Sequence, residues 1–401
     1  METIYATPLL KPDSPLDAHS RAVIQTIYEA EQAKALDLPT DDPLDPKRRK
    51  RVEYTKTEIF EQPSVIQNNL ELERRAIQET AAFLFSKPID RIYLTGCGDS
   101  VAAMTGVRAF YETLLGIACE AIQALDLTYY YYHPINPRTL VITLSSSGAT
   151  TRTVEAMLLA RAYGAVTLAL SNTPGSALMV ESSRGILIHA ERRGWPTQSS
   201  TAAMAILYQL CLEMAKLKGF SASDLAELED QFQRVPELIQ RILDEQNDQI
   251  HSIAERESAR SIYLFAGGGP AYACALFGAA KVKECTPNHA IAIPLEEYHH
   301  YNSQKLGDPL FLVAPSGASL PRALDTVKEC RRWGGQAYSL VTAGDTTLEA
   351  YSHDVIRLPR INEMYTPLVY TIPLQLLAYH VAQAKFRNAE MRANEVINHN
   401  P

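Results

Sequence analysis

The sequence lacks the features that mark several large classes of protein. Its six cysteines include no CxxC pair and lie scattered in apolar or small-residue stretches. This distribution is typical of reduced core thiols and excludes a disulfide framework. The opening segment, METIYATPLLKPDSP, has neither the charged region nor the apolar region of a signal peptide. We therefore expect a cytoplasmic protein.

The sequence also has little that would suit a membrane or a nucleic acid. A charge-free stretch at 366–384 is long enough to span a bilayer, but it contains Pro367, Pro373, Gln375, His380 and Gln383. We interpret it as a buried helix that begins near Pro373. The 38 basic and 46 acidic side chains give a net charge of −8, whereas nucleic-acid binders usually carry a basic patch. The only basic run, KRRKR at 47–51, is interpreted as a solvated loop.

What is present is enough apolar sequence for a packed core. Hydrophobic residues make up 46% of 401 positions, a length that suggests two or three domains. Apolar spacing predicts helices at 16–36 and 65–85, with a linker rich in proline and aspartate at 39–46.

From residue 91 onward, short apolar runs alternate with helical stretches. Runs at 91–95, 140–144, 165–170 and 185–189 predict strands, and the same order returns at 261–266, 310–315 and 336–341. Such alternation indicates βαβ units, parallel sheets and right-handed crossovers. The sequence therefore predicts an α/β protein with two copies of one doubly wound unit, joined by helices near 202–249.

Two loops at strand-to-helix junctions offer binding groups. Gly96 and Gly98 follow the first strand, but Val101 stands where a dinucleotide fingerprint needs its third glycine. The run SSSGAT at 145–150 places four hydroxyls at a helix start, where backbone N–H groups and the helix dipole favour an anion. Because no P-loop lysine follows, we expect a phosphomonoester. The polar run PTQSST at 196–201 lies at the same edge of the predicted sheet but alone indicates only a surface loop.

A second group of reactive side chains follows the second glycine loop. Lys281, Lys283 and Glu284 close a predicted helix, and His289, His299 and His300 follow. A buried carboxylate can shuttle a proton between sugar carbons C1 and C2, and a histidine can open the sugar ring. From spacing alone, a solvated helix end with incidental histidines is the simpler interpretation.

Five motifs in a fixed order resemble those of one family. EIFEQP (58–63), GCGDS (96–100), SSSGAT (145–150), KVKE (281–284) and QLLAYH (375–380) resemble the motifs of two-module SIS (sugar isomerase) proteins. These include the isomerase half of glutamine:fructose-6-phosphate amidotransferase. The resemblance covers roughly residues 52–385 and implies two flavodoxin-like modules. The expected division is an extension and linker (1–51), a phosphosugar-binding module (52–225), a module with the catalytic glutamate and histidine (226–387) and a tail (388–401).

The resemblance also implies roles for individual residues. Glu284 matches the proton-shuttling base, Lys281 a lysine near the sugar oxygens, and His300 a ring-opening histidine supplied by the neighbouring subunit of a homodimer. The implied substrate- and phosphate-binding residues are Gly98, Ser100, Ser145, Ser146, Ser147, Thr150, Ser199, Ser200 and His289. No cofactor or metal is implied. Asp99 replaces an expected threonine, which indicates a changed contact.

Three departures from the family pattern narrow the expected function. The second copy has SGAS at 316–319 instead of a serine cluster, so we expect one substrate site per chain. The tail lacks the lysine that the family's amidotransferases carry, and leaves Arg392 and Asn394 as candidates to cover the site. No cysteine nucleophile follows Met1, which disfavours a glutaminase and glutamine-dependent amination.

We therefore predict a phosphosugar isomerase-type enzyme that transfers a proton through an enediol or enolamine of a hexose 6-phosphate. Two alternatives stay open: a deaminase or deglycase acting on an amine-bearing sugar phosphate, and a non-catalytic sugar-phosphate-binding regulator. The presence of both Glu284 and His300 favours an enzyme. A dinucleotide oxidoreductase is disfavoured by Val101. Neither a nucleic acid nor a membrane is expected as a partner.

Overall fold

The computed structural model describes residues 9–11 and 13–399, with side chains up to residue 394. The first eight residues of the opening segment, Pro12 and the last two residues of the predicted tail lie outside the described residues. The helices are α1 (Ala18–Ala35), α2 (Pro46–Leu72), α3 (Arg74–Phe85), α4 (Asp99–Leu115), α5 (Ala124–Tyr129), α6 (Thr151–Ala162), α7 (Ala177–Glu181), α8 (Gln198–Lys218), α9 (Ala222–Gln233), α10 (Val235–Glu257), α11 (Ala271–Cys285), α12 (Leu320–Arg332), α13 (Thr366–Val369) and α14 (Ile372–His399). The strands are β1 (Arg91–Gly96), β2 (Ala118–Gln123), β3 (Thr139–Leu144), β4 (Val166–Ser171), β5 (Arg184–Leu187), β6 (Ile262–Gly267), β7 (His289–Pro294), β8 (Pro309–Ala314), β9 (Gln336–Thr342) and β10 (Asp354–Leu358).

Two five-stranded sheets confirm the predicted duplication. The strands lie in the order β2-β1-β3-β4-β5 in the first sheet and β7-β6-β8-β9-β10 in the second. Every neighbouring pair is parallel. The two orders are equivalent strand by strand, and both are the flavodoxin-like order of a doubly wound unit. The chain is therefore an α/β protein with two tandem modules and a helical segment before them.

Three of the strands at the sheet edges are not visible in the sequence as apolar runs. These strands, β2, β7 and β10, each lie at the outside of a sheet. In β7, HAIAIP, exposed and buried positions are mixed. A strand covered on both faces forms a continuous apolar run, but a partly exposed edge strand does not. This difference in burial explains why the sequence does not predict these three strands.

The interpretation of the basic run 47–51 as a solvated loop is wrong. Asp45 caps α2 by accepting a hydrogen bond from the Lys47 N–H at 2.8 Å, and Pro46 occupies the first turn, so this run is helical. Arg48 is buried, and its guanidinium donates to the backbone oxygens of Thr40 and Glu284. Helix α2 passes through residue 51 without a break.

The predicted helix at 65–85 is the end of α2 followed by α3, with the break at residue 73. Helix α2 also contains Pro63, which has no N–H to offer the Ile59 carbonyl. Gln62 replaces that donor, with its Nε2 atom 3.0 Å from the Ile59 oxygen and 2.7 Å from Gln375 Oε1. Thr201 donates to Gln62 Oε1 at 2.9 Å. This buried network joins α2, α8 and α14.

The hydrophobic core lies between the modules as well as around each sheet. Helix α8 is buried along most of its length and packs against α2, α3 and α4. Helix α14 begins at Ile372, as predicted, packs against α10 and α11, and continues through the expected tail, where Arg392 and Asn394 are exposed. Among the helices of the described ranges, none is both long and apolar enough to cross a membrane.

We predict that the substitution Leu207→Ala lowers the free energy of unfolding by about 2–5 kcal/mol, because it leaves a cavity in a closed core. Leu207 is fully buried on α8, whereas Leu217 on the same helix is 44% exposed. The matched substitution Leu217→Ala should change stability by about 0.5 kcal/mol or less. Urea denaturation of both variants measures the difference, and equal losses would contradict the central position of α8.

Candidate functional site

Strands β1 and β3 end side by side and bring the glycine loop against the serine loop. Gly96 pairs in register with Leu144, and each residue ends its strand. A Cβ atom on Gly96 would lie 2.5 Å from Ser100 Cβ and 2.9 Å from the Leu144 oxygen. Only glycine permits this approach. Gly98 follows with φ +57° and opens α4, so Ser100 lies beside the start of the serine loop.

The serine loop holds its hydroxyls in one cluster. Ser145 is buried, and its Oγ accepts from the Gly148 N–H at 3.1 Å and lies 2.9 Å from Thr150 Oγ1. Ser147 Oγ accepts from the Ala149 N–H at 3.2 Å. Thr150 immediately precedes α6 and makes no side-chain capping bond. Its hydroxyl is therefore not used as a helix cap.

The backbone of this loop is anchored to the neighbouring strand β4. The Ser146 oxygen accepts from the Asn172 N–H at 3.1 Å. Gly148 has φ +62°, and a Cβ atom there would lie 1.9 Å from Ser176 Oγ. The loop is thus a tightly held concave turn at the N-terminus of a 12-residue helix, an arrangement that favours an anion.

A buried lysine joins the second module to this edge of the first. Lys281 is fully buried near the end of α11, and its Nζ donates to Asp99 Oδ2 at 2.5 Å and to the Glu284 carboxylate. Asp99 begins α4, directly after Gly98. The predicted pair Lys281 and Glu284 is therefore placed at the carboxyl end of β1, beside Ser100.

Burial raises the pKa of Glu284 to about 7, and the charge of Asp99 contributes to the rise. Lys281 and Arg51 act in the opposite direction through their positive charges. A carboxyl group that titrates near neutral pH can both accept and return a proton under cellular conditions.

Helix α2 contributes Arg51 to the surroundings of Glu284, which the sequence alone did not predict. The Arg51 guanidinium lies 3.6 Å from the centroid of the Trp195 ring and close enough to Glu284 to lower its pKa. Glu58, from the EIFEQP motif, accepts from the N–H groups of Arg193 and Gly194 at 2.6 and 2.8 Å. The signal that could have placed Arg51 is Asp45 followed by a proline, which marks a helix start.

Several buried polar atoms in these elements have no hydrogen-bond partner among the described residues. Ser199 and Ser200 are buried in the first turn of α8, directly after the loop that carries Trp195. Buried polar groups are nearly always bonded, so unpartnered ones are typical of a place where a ligand or water binds. The unpartnered atoms here are Arg51 Nε, Asp99 Oδ1, Trp195 Nε1, Thr197 Oγ1, Gln198 Oε1 and Ser199 Oγ.

The structure does not bring the predicted histidines to Glu284. His300 follows the carboxyl end of β7, is 58% exposed, and lies 3.1 Å from Glu296. Helix α11 runs back from the carboxyl to the amino edge of its sheet, so Glu284 and His300 lie at opposite edges. His289 is exposed at the first residue of β7. His299 is bonded to Thr326 and Glu329 at 2.9 and 2.8 Å.

The equivalent loop of the second module is filled by carboxylates of this chain. The Ala318 N–H donates to Glu363 Oε2 at 3.1 Å, and Ser316 Oγ donates to Asp345 at 2.6 Å. A Cβ atom on Gly317 would lie 2.3 Å from the Glu363 Cδ atom. These contacts occupy two of the donors that an external anion would use.

Known proteins resemble this chain in sequence and in fold. The SIS domain family model matches residues 85–213 and 257–385. Glutamine–fructose-6-phosphate aminotransferase (isomerizing) from Escherichia coli K12 is 31% identical over 353 residues, 85% of this chain and 58% of that enzyme. The C-terminal domain of glucosamine-fructose-6-phosphate aminotransferase from Francisella tularensis has a TM-score of 0.76 at 26% identity, covering 83% of this chain and 96% of that chain. Tagatose-6-phosphate ketose/aldose isomerase from Escherichia coli shares the fold, with a TM-score of 0.65 at 19% identity, covering 82% of this chain and 92% of that chain.

The two matched ranges contain one parallel sheet each and together exceed half of the chain. The chain spans 58% of the length of the aminotransferase that it resembles. By sequence and by fold, this chain belongs to the SIS domain family.

Proposed function

We propose that this chain is a phosphosugar isomerase-type enzyme in which Glu284 transfers a proton between adjacent carbons of a hexose 6-phosphate. The observation that carries the proposal is the contact of buried Lys281 with both Asp99 and Glu284, since Asp99 follows the strand that ends next to the serine loop. A binding-only protein needs the loop but has no need of a carboxylate whose pKa lies near neutrality. Enzyme action is therefore the better account of the site.

The phosphate would bind at the serine loop. Ser145, Ser147 and Thr150 converge there, and α6 directs its free N–H groups and positive dipole end to the same point. These donors are neutral, so the loop holds the phosphate without adding a positive side chain. With the phosphate anchored, carbons C1 and C2 at the other end of the sugar can reach Glu284. Proton transfer from a substrate held in this position is faster than transfer during a random collision.

At the reacting end, the Glu284 carboxylate would remove the proton from the carbon beside the carbonyl. The electron pair released from the C–H bond then forms the C=C bond of an enediol, or of an enolamine when nitrogen is present. The Lys281 ammonium stabilises the oxygen on which negative charge develops. Return of the proton to the former carbonyl carbon, with transfer of the hydroxyl proton on the first carbon's oxygen to the former carbonyl oxygen, completes the aldose–ketose exchange and restores the Glu284 carboxylate.

His300 would act from a second subunit. It lies at the opposite edge of the second sheet from Glu284, so it cannot reach the Glu284 of its own chain without refolding. An exposed histidine beyond a strand end is well placed to enter another copy's cleft. We propose a homodimer in which each chain supplies His300 to its partner for ring opening.

The relatives support this reaction class without fixing the overall conversion. One is an aminotransferase described as isomerizing, and another is a ketose/aldose isomerase. The first name includes fructose 6-phosphate and an isomerization, and the second includes tagatose 6-phosphate and a ketose/aldose isomerization. Release or addition of an amine would begin from the same enolamine.

The substitution Glu284→Gln should abolish proton exchange and retain phosphosugar binding, since the amide keeps the shape but cannot accept the proton. We expect a loss of about 10²–10⁴-fold. The measurement is deuterium incorporation at C1 or C2 in D₂O, followed by proton NMR, with fructose 6-phosphate, glucosamine 6-phosphate and 6-phosphofructosyl-lysine. The matched control is Lys283→Gln, an exposed neighbour on α11. Binding without exchange by the unmodified chain on all substrates would favour a regulator.

The exchange rate should fall on the acid side of about pH 7, where Glu284 becomes protonated. Because the base must be ionised, kcat/KM should drop about tenfold per pH unit below this pKa. Arg51 lowers the pKa of Glu284. The substitution Arg51→Leu should therefore shift the acidic side of the pH–rate profile to higher pH. A rate that stays constant between about pH 5 and 7 would remove Glu284 as the base.

Two inactive variants should restore activity when they are combined in one dimer. His300→Ala and Glu284→Gln each disable both sites of a homodimer, but a mixed dimer keeps one intact site. Random assembly should therefore recover about one quarter of the normal activity. Co-expression with two affinity tags isolates the mixed dimers. If isolated mixed dimers are inactive, His300 does not act across the subunits.

A further inference from the structure

Asp99 has one carboxylate oxygen without a partner at the proposed reaction site. Its Oδ2 accepts from Lys281 at 2.5 Å, whereas its Oδ1 is buried and unbonded among the described residues. The side chain is 9% exposed, so bulk water does not solvate this oxygen. A buried carboxylate oxygen requires a donor, because its desolvation is otherwise uncompensated.

The local charge is also unbalanced. Lys281 is a single cation shared between two carboxylates, Asp99 and Glu284. The next cation, Arg51, lies over the Trp195 ring. When Glu284 is ionised for proton removal, Lys281, Asp99 and Glu284 together carry one net negative charge, which the positive charge of nearby Arg51 acts to offset. A cationic donor at Asp99 Oδ1 satisfies the bond and balances this charge.

We propose that Asp99 Oδ1 binds the protonated nitrogen of the substrate, so that the substrate class is an amine-bearing hexose 6-phosphate. This inference rests on the proposed function and narrows it to amino sugars and amine-linked sugars. Lys281 Nζ contacts both Asp99 and the base Glu284. Asp99 Oδ1 belongs to the same carboxylate group as the oxygen that binds this lysine. A donor bound there would lie close to the base, as a substituent on one of the two reacting carbons does.

A hydroxyl group would fit the same position but would not balance the charge. Hydrogen bonds between an ammonium and a carboxylate are shorter and stronger than those between a hydroxyl and a carboxylate. The threonine that the family pattern leads us to expect here has no charge with which to make this distinction. The aspartate at this position therefore acts as a specificity residue.

The test compares matched ligands on the full chain. Glucosamine 6-phosphate is paired with glucose 6-phosphate, and 1-amino-1-deoxyfructose 6-phosphate with fructose 6-phosphate. Isothermal titration should show that in at least one pair the amine binds about tenfold more tightly than the hydroxyl sugar. Asp99→Asn and Asp99→Thr should each reduce this ratio to about one.

Asp90→Asn is the matched control, because this exposed aspartate precedes the far end of β1. Retained binding of fructose 6-phosphate shows that an Asp99 variant is folded with an intact phosphate loop. The role of Asp99 would be overturned, with the proposed function left intact, by either of two results. One is equal affinity for the amine and the hydroxyl sugar within both pairs in the unmodified chain. The other is an unchanged amine-to-hydroxyl affinity ratio in either folded variant. Failure of all four sugars to bind or exchange would overturn the proposed function together with this inference.

Discussion

The constraint on which the site depends is the burial of one ammonium group. Lys281 is fully buried, and a buried charge is stable only when opposite charges surround it. Its partners come from both modules, since Asp99 opens α4 in the first and Glu284 lies near the end of α11 in the second. Separating the modules would remove Asp99 and leave Glu284, on the same helix, as the remaining partner of these two. The contact that brings the carboxylates together therefore also fixes how α4 and α11 pack.

The same contact explains why the candidate site lies between the modules. In a doubly wound unit the helices run antiparallel to the strands, so the end of α11 lies at the amino edge of its own sheet. That edge faces the carboxyl edge of the first sheet, where the glycine and serine loops lie. One module supplies the hydroxyl loop, and the other supplies a helix end with charged side chains. Neither module contains both sets of groups.

Local patterns predicted the interior strands and the serine loop, because a continuous apolar run followed by hydroxyls and a helix is visible within about fifteen residues. Partly exposed strands such as β7 have no such run. The charge of residues 47–51 suggested solvent, although Asp45 and Pro46 before them mark a helix start. The pairing of Lys281 with Asp99 spans 182 positions, and no local pattern selects one distant carboxylate over another. The same holds for Glu363 in the second loop.

Glu363 gives the second module a carboxylate ligand from its own chain. Tethered by the chain, its carboxylate meets the loop at a fixed effective concentration, and no change in the surrounding solution dilutes it. A free phosphate, in contrast, stabilises its loop only in proportion to the logarithm of its concentration. The duplicated fold therefore combines one module whose loop binds a carboxylate of its own chain with another module whose stability depends on the concentration of its ligand.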